Sequence, residues 1–176
     1  MLPLEVLGHD RKEQEPSLME RKGVNQMGDE KKEKIEKRWR KFQEHLGCTD
    51  EELAIHRANP KHVKAMENAP AFVKYKMVIE VIESRNCGAG HKVGDKFVVD
   101  AGGCLVPDEC PPGRICVSLV YAMKSAVDRM WQAFYNDSTD VFQDTVHCSD
   151  VGTQRGGWGE VTMRIRAVPK DEKVNR

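Results

Sequence analysis

Tyr75, Met77, Ile79 and Val81 alternate with Lys74, Lys76, Val78 and Glu80 along the middle of the chain. A period of two predicts a strand with one buried and one wet face. The same pattern is clearest near the end, where Val161, Met163, Ile165 and Ala167 alternate with Glu160, Thr162, Arg164 and Arg166. Between these runs, Gly88, Gly90 and Gly94 punctuate a loop, and Lys96 to Asp100 reads as a further strand. A Gly/Pro-rich stretch over 101–114 follows. A helix is then predicted from about Ile115 to Tyr135, with Leu119, Val120, Met123, Val127, Met130, Trp131 and Phe134 on one face. The order β-β-α-β across 74–169 predicts a small α+β domain in which one long helix lies across an antiparallel or mixed sheet.

The preceding segment has helical rather than strand periodicity. From Asp29 to Leu46, Ile35, Trp39, Phe42 and Leu46 recur at spacings of four, three and four, and the remaining faces are largely Lys and Glu. Gly47 ends this helix. Thr49-Asp50-Glu51-Glu52 has the form of a capping box, which predicts a second helix from Asp50 to about Ala58. Asn59-Pro60 reads as N-cap and first residue of a third, which Ala69-Pro70 should end. Residues 29–73 are thus a helical appendage, separable from an α+β core over 74–169. Residues 1–28 and 170–176 have too few large apolar positions to offset the entropy of ordering and are expected to be disordered tails. Met27, followed by GDEKKEK, is a second position at which a chain could begin.

Composition narrows the functional classes. The 176 residues contain 28 Lys+Arg and 28 Asp+Glu, so no net field steers an anionic partner, and a nucleic-acid binder is not expected. The basic run Lys31 to Lys41 is interrupted by Glu33 and Glu36 at helical spacing, as on a solvated helix with ion pairs. No apolar run is long enough to span a membrane, and the start has no secretory signal, which makes a cytoplasmic location the expectation. In that compartment the six cysteines should be thiols or metal ligands rather than disulfides. Walker, Rossmann, HExxH and GxSxG motifs are missing from the sequence, so it gives no support for ATP hydrolysis, nicotinamide chemistry or serine hydrolysis.

The candidate chemistry lies in three separated segments. Cys87 and His91 are four residues apart in the glycine loop, where positive φ lets a thiolate and an imidazole turn toward one ion. Cys110-Pro-Pro-Gly-Arg-Ile-Cys116 leads into the long helix, so Cys116 sits near a helix N-terminus that stabilises a thiolate. Cys148, beside His147, approaches the last strand. Cys104 reads as a spare thiol and Cys48 as structural. Gly156-Gly157-Trp158-Gly159 reads as a turn into the strand with a packing tryptophan.

These residues also carry a resemblance. Met77 to Val168, with V-I-E-V-I-E, C-G-A-G-H-K-V-G-D-K-F, the R-I-C helix start, H-C-S-D-V-G and G-G-W-G, resembles a family of small prokaryotic proteins. That family is built on a C-x-x-G-H-K-V-G-D core with later single cysteines. The lead-in L-G-C-T-D-E-E-L and N-P-K-H-V resembles a longer subgroup, which extends the likeness to about residues 30–168. The family pattern falls on Cys87, His91, Gly94, Asp95, Cys116 and Cys148, with Cys110 matched in the longer subgroup. Relatives often have proline after these cysteines, whereas Gly88, Val117 and Ser149 stand here and only Cys110-Pro111 keeps it. The resemblance implies no activity.

Three functions follow as expectations. The first is a small metalloprotein in which Cys87, Cys116 and Cys148, joined by Cys110 or His91, hold zinc or an iron–sulfur cluster; four thiolates suit either, and a Cys3His set favours zinc or a single iron. The second is a cysteine-dependent catalytic or redox protein with Cys116 as its thiolate. The third is a non-catalytic subunit whose N-terminal helices dock on a larger enzyme. A core of about 95 residues is small, which also makes a structural metal or a homodimer an expectation.

Overall fold

The computed structural model describes the backbone at residues 18–67, 69–113 and 115–174. The chain forms two compact units, residues 1–47 and 48–176. The described part of the first unit is one helix, α1 (Leu18–Leu46), in which the rings of Trp39 and Phe42 meet edge to face at 5.8 Å. Gly47 ends it at φ +67°, with its N–H donated to the Gln43 carbonyl. The expected disorder over 1–28 lies outside the described residues for 1–17. From Leu18 the backbone is helical, eleven residues before the predicted start, because this stretch has helix-forming Met, Glu, Arg, Lys and Gln and no proline.

The second unit opens with three short helices. α2 (Asp50–Ala58) has the predicted capping box: Thr49 Oγ1 accepts from Glu52 N, and Glu52 Oε2 accepts from Thr49 N. α3 (Pro60–Glu67) begins with the predicted proline. Pro70 does not end the helical region. It is the second residue of α4 (Ala69–Lys74), where its missing N–H leaves no intrahelical bond unmade. α4 is part of the packed core, with Ala71 buried and Phe72 set edge-on to Phe134 at 5.4 Å.

Four strands follow: β1 (Tyr75–Arg85), β2 (Lys96–Val99), β3 (Thr145–His147) and β4 (Glu160–Pro169). They form one sheet in the order β2-β1-β4-β3 with every neighbouring pair antiparallel, in keeping with the α+β class read from the pattern. Strand β3 is an addition to the predicted elements. A bulge between Val81 and Glu83 lets β1 bend while Val81 exchanges backbone bonds with the loop at Gly94 and Asp95.

Helix α5 (Val117–Phe134) crosses one face of the sheet. Leu119, Met123, Val127, Met130 and Phe134 are buried as predicted, and Ala122, Ala126 and Ala133 complete the stripe, small enough to let the helix approach the strands. Two predicted members differ. Val120 is exposed, and Trp131 is half-buried at the border, where its Nε1 donates to the Ala101 carbonyl and its ring covers Gly103.

The opposite face of the sheet is only partly wet, contrary to the alternation. Val78, Val98 and Val168 form a second buried cluster, covered by Val106 and by Val174 from the expected C-terminal tail. Lys76, read as solvent-facing, is buried and ion-paired with Glu109. Among the described residues no helix is long and apolar enough to cross a membrane.

A fragment of residues 48–176 is expected to melt cooperatively, close to the full chain. A fragment beginning at Tyr75 loses Ala71 and Phe72 from the core and should be destabilised by about 2–4 kcal/mol, as read by circular dichroism in denaturant. Equal midpoints for the two fragments would show that α4 contributes nothing to the core.

Candidate functional site

Antiparallel pairing decides which candidate residues share a place. Arg85, the last residue of β1, lies opposite Glu160, the first of β4, and His147, the last of β3, lies opposite Thr162. Lys96, the first residue of β2, pairs with Glu80 in the distal half of β1. The last turn of α5 packs Phe134 beside Phe72 and Tyr75 at the start of β1, so its first turn points to the opposite end. Cys87, two residues past Arg85, and Cys148, directly after His147, therefore lie toward the same end of the sheet, and the N-cap Cys116 stands at the end of α5 that points there. Cys87, Cys116 and Cys148 are half-buried there, each packed on the main core cluster.

His91 is buried, with only 7% of its surface exposed. Its ring stands edge-on to Phe97 at 5.4 Å, and its carbonyl accepts a hydrogen bond from Ser84 Oγ at 2.7 Å. Nδ1 faces Asp95 Oδ2 at 3.8 Å, and the same carboxylate oxygen accepts the Lys92 N–H. Nε2 is fully enclosed and has no hydrogen-bond partner. An unsatisfied buried nitrogen costs about 1–3 kcal/mol, so such atoms are uncommon and call for an explanation.

Cys110, the alternative fourth ligand, is buried in the same core cluster, with its Sγ directed at the Val98 carbonyl at 3.8 Å, one residue along β2 from the Phe97 that meets His91. Cys104 is exposed in the turn after β2. Among the described residues no three His, Cys, Asp or Glu side chains form a group that could hold a metal ion.

Cys148 is tied to the start of β4. Its N–H donates to the Val161 carbonyl, and its Sγ accepts the Val161 N–H at 3.2 Å while facing the Asp150 carbonyl at 3.6 Å. Two residues on, Asp150 organises the whole 150–159 loop. Its carboxylate accepts the N–H groups of Gly152, Trp158 and Gly159 at 3.0–3.2 Å. The Gly159 N–H foremost, with those of Gly152, Trp158 and Val151, holds this carboxyl below the ordinary aspartate range, against desolvation that raises it. A methyl at Gly157 would collide with Asp150 Oδ1, and one at Gly159 with the Asn86 carbonyl. Both glycines are thus required by close approach, the second by that of the Cys87 loop to β4.

The sequence reading passed over Asp150, although Asp150-Val151-Gly152 followed by a glycine cluster is the signal of a carboxylate wrapped by backbone N–H groups. Trp158 was expected to pack and is instead exposed. The reason is that the loop is held by Asp150 and its own backbone, so it needs no aromatic anchor. A groove of about 680 Å³ between α5 and β3 is lined by residues such as Tyr121, Asp128, Arg129 and His147 and by no cysteine. No family model, curated protein or solved structure matches the chain.

Because the folded pKa of Asp150 lies below its unfolded value, the carboxylate stabilises the loop fully above about pH 4 and the effect is lost as pH falls through the lowered folded value. The Trp158 and Gly159 amide resonances should therefore move together on acidification below that point. Asp150→Asn should disorder the loop at neutral pH. Unchanged amide shifts in that variant would remove the carboxylate from its assigned role.

Proposed function

We propose that this is a cysteine-ligated metal-binding protein whose ligands are Cys87, His91, Cys116 and Cys148. The observation that carries the reading is the enclosed, unpartnered Nε2 of His91. A metal ion would satisfy it with the one interaction a nitrogen lone pair makes best in an apolar setting, and Asp95 stands on the Nδ1 side, as carboxylates do behind metal-bound imidazoles. Three half-buried thiols packed on one core cluster could supply soft donors. A Cys3His set suits zinc or a single iron. Binding would tie the Cys87 loop, the first turn of α5 and the Cys148 loop to one another, which these segments otherwise achieve only through the core beneath them. The chemistry supplied by a bound ion is structural closure or, with one position left open, Lewis acidity.

A second reading rests on Cys116 itself. It is the N-cap of an 18-residue helix and its side chain makes no capping hydrogen bond. A thiolate there would face free backbone N–H groups, as in a reactive or redox cysteine.

Serine variants separate the two. If the metal reading holds, Cys87→Ser, Cys116→Ser and Cys148→Ser should each lower bound zinc or iron and melting temperature together, because binding energy to a site missing from the unfolded chain is folding energy. Asp95→Asn should weaken metal affinity by about 10–100-fold, and Cys104→Ser should change neither quantity. Protein purified anaerobically with zinc and iron supplied, yet metal-free, would overturn the reading. A fast-reacting thiol lost only in Cys116→Ser would establish the second.

A further inference from the structure

His56 and His62 lie on the corner between α2 and α3, on residues used by neither reading above. Their Nδ1 atoms are 2.9 Å apart and their ring centroids 4.9 Å. Two imidazole nitrogens come this close only when one donates a proton to the lone pair of the other. We propose that a divalent late first-row ion, Ni²⁺ or Zn²⁺, takes the place of that shared proton and is chelated by both Nδ1 atoms. The shared proton is lost from Nδ1 to solvent and regained on Nε2 of the same ring, so that each ring carries its proton on Nε2, and both rings turn to aim their Nδ1 lone pairs off the line between them and onto the ion.

The spacing suits the chelate. With metal–nitrogen bonds of about 2.1 Å, two neighbouring ligands are about 3.0 Å apart on a six-coordinate ion and about 3.4 Å apart on a tetrahedral one. Imidazole is also the donor these ions favour.

The corner is stiff before any ion arrives. The Thr49–Glu52 box fixes the start of α2. Asn59 N–H donates to the His56 carbonyl, its side-chain oxygen accepts the Lys61 N–H, and its carbonyl accepts the Val63 N–H. Pro60 fixes the backbone between the helices. His56 is in the last turn of α2, where the carbonyl ends of the peptide dipoles favour a cation. Two side chains provide only part of a coordination shell, and water completes it, so the ion is exchangeable and surface-held.

Nickel titration of the full chain with labelled histidines tests this directly, because paramagnetic broadening reports where the ion sits. At substoichiometric Ni²⁺, the imidazole resonances of His56 and His62 should broaden before those of the other four of the six histidines. His62→Asn, at an exposed position, should leave the melting temperature unchanged and weaken Ni²⁺ binding at His56 by about tenfold or more, since the chelate is lost. Broadening that begins at His91 or His147, with His56 and His62 unaffected, would overturn the proposal. So would equal Ni²⁺ affinity at His56 in the parent and in His62→Asn. The first outcome is read in the unmodified protein and does not depend on the variant folding. Because the titration locates the ion residue by residue, it also stands apart from any metal at the cysteine end.

Discussion

Strand β1 is hydrogen-bonded along both edges, to β2 and to β4, and its centre is buried on both faces through Met77, Val78, Ile79 and Val81. A strand in that position cannot leave a backbone group or an apolar side chain to water, so its neighbours must supply cover on four sides. Helix α5 covers one face with a stripe in which alanines alternate with long side chains. The other face is closed by pieces with no regular structure of their own, Val106 from the loop after β2 and Val174 from beyond β4. Glu109 from that same loop pairs with Lys76, which is why a lysine can lie beneath the covering segment.

The antiparallel sheet also decides where chemistry can gather. Since β1 and β3 end where β4 begins, loops distant in the chain share one rim, the one that carries Cys87 and Cys148. The rim is held more by backbone than by side-chain packing. The Asp150 carboxylate gathers N–H groups from both ends of its loop, Cys148 accepts one from Val161, and Gly159 lies against the Asn86 carbonyl. Such an arrangement fixes the path of the loops through hydrogen bonds rather than through a packed side chain.

His91 and the His56–His62 pair show imidazoles in two contrasting settings. His91 is enclosed, with one nitrogen lacking a partner and the other beside a carboxylate, so its lone pair is costly to leave unused. The pair on the α2–α3 corner is open to solvent, and its readiness comes from the spacing of two rings on a stiff turn.

Features set by a few consecutive residues were legible in the sequence. The Thr49–Glu52 box, the Asn59-Pro60 helix start, the alternation of Met77, Ile79 and Val81, and the spacing along α5 each express a local hydrogen bond or a local period, and each forms where it was predicted. The cysteines and His91 were also legible as candidates, because thiol and imidazole chemistry is visible in residue type alone. What only the tertiary structure decided concerns partners far apart in the chain. Val78, Val98 and Val168 are buried because remote segments fold over them, and the alternation of any one strand cannot show this. The meeting of His91 with Phe97, and of Cys110 with the neighbouring Val98 carbonyl, likewise depends on the path of the loops around β2. Asp150 became the organiser of its loop through N–H groups up to nine residues away, and Trp158, read as a packing residue, was left in water as a result. Local backbone chemistry is written in short stretches of residues, whereas burial and the meeting of loops exist only once the strands have paired.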